Sequence, residues 1–213
     1  MTVDLNLLID KTIQYIDHKE WYKDSNIMIK QYYSKDHNLF IDVLSLTSPR
    51  QTVKQNVLNT IKTLDNIKYG RQNNIVYGIA NKQIRKNLDR YMRTKQFNGV
   101  KVNSFSGSLK LKNGSCCIDV WMLKAFGVKR MSPTNKDIKD INGQIKIISD
   151  KLGLKTYEVQ ACLWCYAKKE LNRTVHKDAH DFSYYLKAYF EQTNLKMWTK
   201  WKTKQTKSLL PQK

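Results

Sequence analysis

The sequence predicts an all-α protein, and three observations carry that prediction. Only 8 Gly and 3 Pro occur in 213 residues, which favours long helices joined by short connections. Apolar residues recur at intervals of three and four along most of the chain, the period of a helix that buries one face. Strand signals are weak: 101–111 alternates loosely, and nothing nearby offers a partner strand.

The elements follow in order. A first helix is expected near 4–17, where Leu5, Leu8, Ile9, Ile13 and Ile16 carry helical spacing. A second, near 36–46, brings Leu39, Phe40, Val43 and Leu44 onto one face. Ser48-Pro49-Arg50-Gln51 reads as a helix start: Ser48 can cap, Pro49 suits the first helical position and Gln51 completes a capping box. Val53, Val57, Ile61 and Leu64 form the stripe that follows. A helix over 79–96 turns Ile84, Leu88 and Tyr91 inward and leaves Lys82, Arg85, Lys86, Arg90 and Arg93 outside. After a Gly-punctuated region come a short helix near 119–126 and a long one near 134–152, with Ile138, Ile141, Ile145, Ile148 and Leu152 in register. Helices near 156–170 and 178–194 complete a single domain over 1–195, the last carrying Phe182, Tyr185, Leu186, Tyr189 and Phe190. Residues 196–213 form a basic aromatic arm, in which Trp198 and Trp201 interleave with Lys200, Lys202 and their neighbours. Such an arm can lie on phosphates and stack on bases, or its tryptophans can pack back on the domain.

Charge is the strongest compositional feature. Lys and Arg number 38 against 18 Asp and Glu, a formal +20. Plentiful Lys, Asn and Ile fit an AT-rich genome, but that bias does not remove acidic residues. A charge of this size predicts a nucleic-acid partner held by phosphate neutralisation. The 41% hydrophobic content excludes a disordered chain, and no apolar stretch approaches the roughly 20 residues of a membrane span. The acidic start lacks the pattern of a secretory signal, so a cytoplasmic, nucleoid-associated monomer without membrane contact is expected. The cysteines (Cys116, Cys117, Cys162 and Cys165) read as core thiols, because the Cys162-x-x-Cys165 pair sits in a helical pattern and Cys116-Cys117 has no second pair. His176 and His180 are four apart but lack a well-placed third ligand; no metal and no cofactor are expected.

The informative segment is 97–127. A Gly99-Val100 turn leads to Lys101; small and apolar residues follow, then a loop at Asn113-Gly114, and the run Cys116-Cys117-Ile118 ends in Asp119 at a helix start. Asp119 stands 18 residues after Lys101. This arrangement resembles the helix-hairpin-helix DNA glycosylase superfamily, in particular its endonuclease III and 8-oxoguanine glycosylase branches. In those a Gly-Val hairpin precedes a catalytic lysine, and an aspartate follows an apolar run. The matching text is Gly99-Val100-Lys101-Val102 and Ile118-Asp119-Val120-Trp121-Met122, with Leu44-Ser45-Leu46-Thr47 similar to the stretch before the family's DNA-wedging loop. The likeness covers about 44–127, and 134–170 by pattern alone. The chain departs from the family in lacking the hairpin's second glycine and its proline, in a shorter stretch before Lys101, in having Trp121 where histidine is common, and in lacking the four-cysteine iron–sulfur loop. The hairpin is therefore degenerate, and the chain resembles a divergent, compact member such as a phage would encode.

The resemblance implies base excision from double-stranded DNA with a flipped-out base, followed by strand nicking. Breaking an N-glycosidic bond builds positive charge on the sugar, which a carboxylate stabilises; Asp119 takes that role, at a helix N-terminus whose dipole favours negative charge. A neutral lysine amine can attack C1′ and form a Schiff base that permits β-elimination; Lys101 is that nucleophile. Phe105, Trp121 and Trp164 are candidate walls for the extruded base. Arg50 and Gln51 are candidates to fill the gap in the duplex, and Asn98, Gly99, Lys110, Lys112, Lys200 and Lys202 to contact the DNA. The plainer alternatives are a phosphate-binding Lys101, an Asp119 that merely caps its helix, and core aromatics. Two other functions stay open: a non-catalytic architectural or regulatory DNA-binding protein on the same scaffold, and an enzyme acting on modified nucleotides.

Overall fold

The computed structural model describes residues 4–49, 51–69, 82–114, 116–172 and 179–194, and among these every regular element is helical. In order they are α1 (Leu5–Gln14), a 3-10 turn (Ile16–His18), α2 (Trp21–Tyr32), α3 (His37–Thr47), α4 (Val53–Lys68) and α5 (Lys82–Thr94). Then come α6 (Val100–Leu109), α7 (Val120–Ala125), α8 (Asn135–Leu152) and α9 (Thr156–Glu170), and finally α10 over 182–194. Their ends follow local chemistry. Asp4, Thr52, Asp119 and Thr134 each accept backbone N–H groups of the turn they open. Gly153 closes α8 in the left-handed conformation at φ 66°, where a side chain would be strained.

Two expectations are corrected. Ser48 does not open a helix: α3 continues through Thr47, and the Ser48 hydroxyl donates back to the Ser45 carbonyl at 2.9 Å. The helix start lies four residues on, where Thr52-Val53-Lys54-Gln55 repeats the same signature and Thr52 Oγ1 accepts the Gln55 N–H at 3.2 Å. Burial decides between the two copies. Thr47 is fully buried, so the end of α3 belongs to the core. The second correction is α2, for which no helix was expected. Its buried face is Trp21, Tyr22, Ser25 and Ile29, and the serine breaks the apolar pattern. Ser25 is accommodated because its hydroxyl donates to the Trp21 carbonyl at 2.7 Å and accepts the Phe182 N–H at 3.2 Å.

The core has two parts. One is built from α2 to α6 with Ala161, Cys165, Phe182 and Leu186. The other gathers Leu8 of α1, Met122, Leu123 and Ala125 of α7, Ile141, Ile145 and Ile148 of α8, and Val159, Leu163, Tyr166 and Ala167 of α9. Helix α9 therefore serves both, burying residues on nearly every side. All four cysteines are free thiols in the interior. No helix among the described residues is long and apolar enough to cross a membrane.

Candidate active site

The loop that delivers Asp119 is tied to the second half of the protein by side chains that replace its missing secondary structure. Asn113 Oδ1 accepts the Thr156 N–H at 2.9 Å, and the Gly114 N–H donates to Thr156 Oγ1 at 3.1 Å. The Cys116 N–H donates to Asn142 Oδ1 at 2.7 Å. Gln160 of α9 clamps Cys117 from both sides, accepting its N–H at 3.2 Å and donating to its carbonyl at 2.9 Å. Asp119 then opens α7. Its Oδ1 accepts the Trp121 and Met122 N–H groups at 2.9 and 3.0 Å, and its Oδ2 accepts the indole N–H of Trp164 at 3.1 Å. Three donors hold this carboxylate in one orientation.

Lys101 arrives from the other half. Gly99 sits at φ 119°, a conformation that favours glycine, and opens α6, placing Lys101 in its first turn. The Lys101 amine makes no ion pair or hydrogen bond among the described residues. Both charged groups bear on Cys117: burial pushes that thiol up to about 12, the Asp119 carboxylate adds to the rise and the Lys101 ammonium opposes it.

Lys101 and Asp119 line one cleft, at the seam between the two core clusters, with a cavity volume of about 90 Å³. Its walls are aromatic: Trp21, Tyr22, Phe105, Trp164 and Phe182. These rings meet in a continuous series, with Trp21 5.1 Å from Phe182 and 5.8 Å from Trp164, and Phe105 6.0 Å from Phe182 between centroids. Gln51, Thr52, Ser48 and Asn56 add a polar rim. Asn56 is committed, accepting from the Thr47 hydroxyl at 2.7 Å and donating to the Leu44 carbonyl at 3.0 Å.

The structure brings together Lys101, Asp119, Gln51, Phe105 and Trp164 of the expected site. Trp121 is not among the lining residues. Its ring lies under the Lys124 and Lys168 ammonium groups, at 4.1 and 4.8 Å, on the side of the second cluster. Lys110 is not a free cation: its amine is 2.6 Å from the buried Asp42 carboxylate, which also accepts from Tyr91 and Ser106. Lys112 is exposed beside it, and Asn98 and Gly99 are exposed in the turn before α6. Arg50, His176, Lys200 and Lys202 lie outside the described residues, as does the 196–213 arm. The outward basic face of α5 is exposed along Lys82, Arg85, Lys86, Arg90 and Arg93, opposite the buried Ile84, Leu88 and Tyr91. Sequence reasoning missed Trp21, Tyr22 and Gln160. The adjacent aromatics Trp21-Tyr22 were the available signal for the first two, whereas nothing local marks Gln160.

Among the described residues no cluster of His, Cys, Asp and Glu is arranged to hold a metal ion. Comparison with known proteins returns no match: no family model fits the chain, and no curated protein or solved structure resembles it significantly.

Proposed function

We propose that this protein is a DNA glycosylase with associated lyase activity, in which Lys101 is the nucleophile and Asp119 the stabilising carboxylate. The observation that supports the reading is the shared aromatic cleft: a lysine amine without a partner among the described residues and an oriented carboxylate line the same walls, although they come from different halves of the core. Flat aromatic walls suit an extruded base. The net charge of +20 and the exposed cationic face of α5 suit the duplex that presents it.

The chemistry uses few groups. As the N-glycosidic bond lengthens, the sugar gains positive charge, and a fixed carboxylate beside it lowers the barrier. The Lys101 amine, as the free base, attacks C1′; the base leaves with the electron pair of the broken bond and takes up a proton. Opening of the sugar gives an iminium at C1′, which acidifies the C2′ hydrogens. Loss of one of them expels the 3′ phosphate, and water then releases the lysine.

Borohydride reduces such an iminium to a stable amine, which makes the test direct. On duplex DNA carrying an abasic site, the wild-type chain is expected to form a covalent adduct that Lys101→Ala loses while salt-sensitive DNA binding persists. Binding without any adduct or base excision from the wild type points instead to a non-catalytic DNA-binding protein.

A further inference from the structure

Five aromatic rings give the cleft its shape but little ability to tell one base from another. That task falls to polar groups with unused hydrogen-bonding capacity. Gln51 and Thr52 keep unused donors but are half-buried and exposed, respectively, and the more buried polar neighbours are engaged: both ends of the Gln160 amide are taken by the Cys117 backbone, both ends of Asn56 are taken, and Ser48 donates to Ser45. The indole N–H groups of Trp21 and Trp164 are taken by the Ala179 carbonyl and by Asp119.

Tyr22 differs. It is 4% exposed and lines the cleft, yet its hydroxyl has no hydrogen-bond partner among the described residues. The Tyr22 oxygen is not among the side-chain atoms that are sealed from solvent without a hydrogen bond, so it is reachable by solvent, and its residue lines the cleft. The ring is fixed edge-on against Trp21 at 4.9 Å and Phe105 at 6.4 Å.

We propose that the Tyr22 hydroxyl is the specificity-determining group of the cleft, donating a hydrogen bond to a carbonyl oxygen on the inner edge of a bound base. Burial, the Cys117 and Cys116 thiols and the Asp119 carboxylate all push its pKa well above the ordinary value of 10.0, so it keeps its proton and serves as a donor. The Cys116 and Cys117 thiols beside it, themselves pushed up to about 12, stay neutral and are weak competitors for that proton. The class of ligand is therefore a planar heterocycle bearing an oxo group, and a ring with only hydrogen at that position forfeits the bond. This deepens the glycosylase reading and rests on it for the statement that the heterocycle is part of DNA.

The test uses two pairs of free bases that differ in oxo groups, hypoxanthine against purine and uracil against pyrimidine. Binding is read from quenching of Trp21 and Trp164 in the full chain and in Tyr22→Phe. One neutral hydrogen bond corresponds to a preference of up to about tenfold. The wild type is expected to prefer the oxo member of at least one pair by about that factor. Tyr22→Phe should lose the preference while binding the plain ring as before, an outcome that lost packing would not give. Absence of saturable quenching, equal affinity within both pairs, or a preference that survives Tyr22→Phe overturns the proposal. Borohydride trapping of the wild-type chain on abasic DNA, which presents no base to Tyr22, scores the glycosylase reading separately. A base preference without any adduct would retain Tyr22 and discard the lyase.

Discussion

Asp42 is 5% exposed and takes three donors from two other helices: the Tyr91 hydroxyl at 2.5 Å from α5, and the Ser106 hydroxyl and Lys110 amine, each at 2.6 Å, from α6 and its C-terminal end. The carboxylate thus joins α3 to the element that carries Lys101. Asp42→Ala strands all three donors, and removing one partner of a buried ion pair costs about 3–5 kcal/mol. The Lys110 side chain is 21% exposed and can turn to water, so the lower end applies, about 3 kcal/mol. For a chain of this size that lowers the thermal midpoint by about 6–12 °C. Lys110→Met is expected to cost less, about 1–2 kcal/mol, because Tyr91 and Ser106 still donate to the carboxylate. The double variant should fall short of the summed costs by about 1 kcal/mol or more, since neither change then strands the other group. Urea unfolding at pH 7, followed by tryptophan fluorescence, measures all three. An Asp42→Ala variant within about 1 kcal/mol of wild type, or strictly additive costs, would refute the network's role.

Two further outcomes are expected. Burial pushes the Cys116, Cys117, Cys162 and Cys165 thiols from 9.0 up to about 12, so the folded state binds more protons than the unfolded state above pH 9. Their contribution to stability is complete below pH 9 and is lost as pH rises through about 12. Urea midpoints should therefore fall from pH 9 upward, and a thiol reagent at pH 8 should label the native chain far more slowly than the unfolded one; a flat alkaline profile with rapid native labelling contradicts this. The second outcome separates the two roles of Asp119. Asn caps a helix as well as Asp does but sets an amide NH2 against the Trp164 indole N–H, so Asp119→Asn should cost about 1–2 kcal/mol of stability. Under the proposed glycosylase chemistry, loss of the carboxylate charge should still slow base excision by about 100-fold or more, and excision at the wild-type rate would reduce Asp119 to a cap.

The parts of the fold legible in the sequence are those specified locally. Helix α8 lies where its isoleucine repeat places it, because Thr134 and Asp137 fix its start by a reciprocal capping box and Gly153 fixes its end. The burial of Ile84, Leu88 and Tyr91 in α5 follows directly from their spacing. What was not legible depended on distant partners. Lys110 reads as one more basic residue in a basic stretch, since its carboxylate partner lies 68 positions away. Ser25 hides α2 because its hydroxyl is satisfied partly by the Phe182 N–H, far along the chain. Trp121, two residues after Asp119, is a candidate wall in the sequence, but Lys124 one turn on and Lys168 on α9 offer its faces two ammonium groups instead. Nearness in sequence says little about direction when the residue lies in a helix.

The same distinction bears on the lysine and aspartate themselves. Their separation of 18 residues does not bring them together, because α6 carries the chain away from Lys101 and the loop after it has no regular structure of its own. The return is made by residues that sequence reasoning did not single out. Asn142, Thr156 and Gln160, from α8 and α9, take up the backbone groups of Gly114, Cys116 and Cys117 and so fix the path into Asp119. Trp164, one turn beyond Gln160 on α9, holds the carboxylate that this path delivers. Helix α9 therefore sets the position of Asp119 while packing against the cluster that carries Lys101. A chain with the same two residues at the same spacing, but without an amide at position 160, would lack the clamp that aims the loop at the cleft.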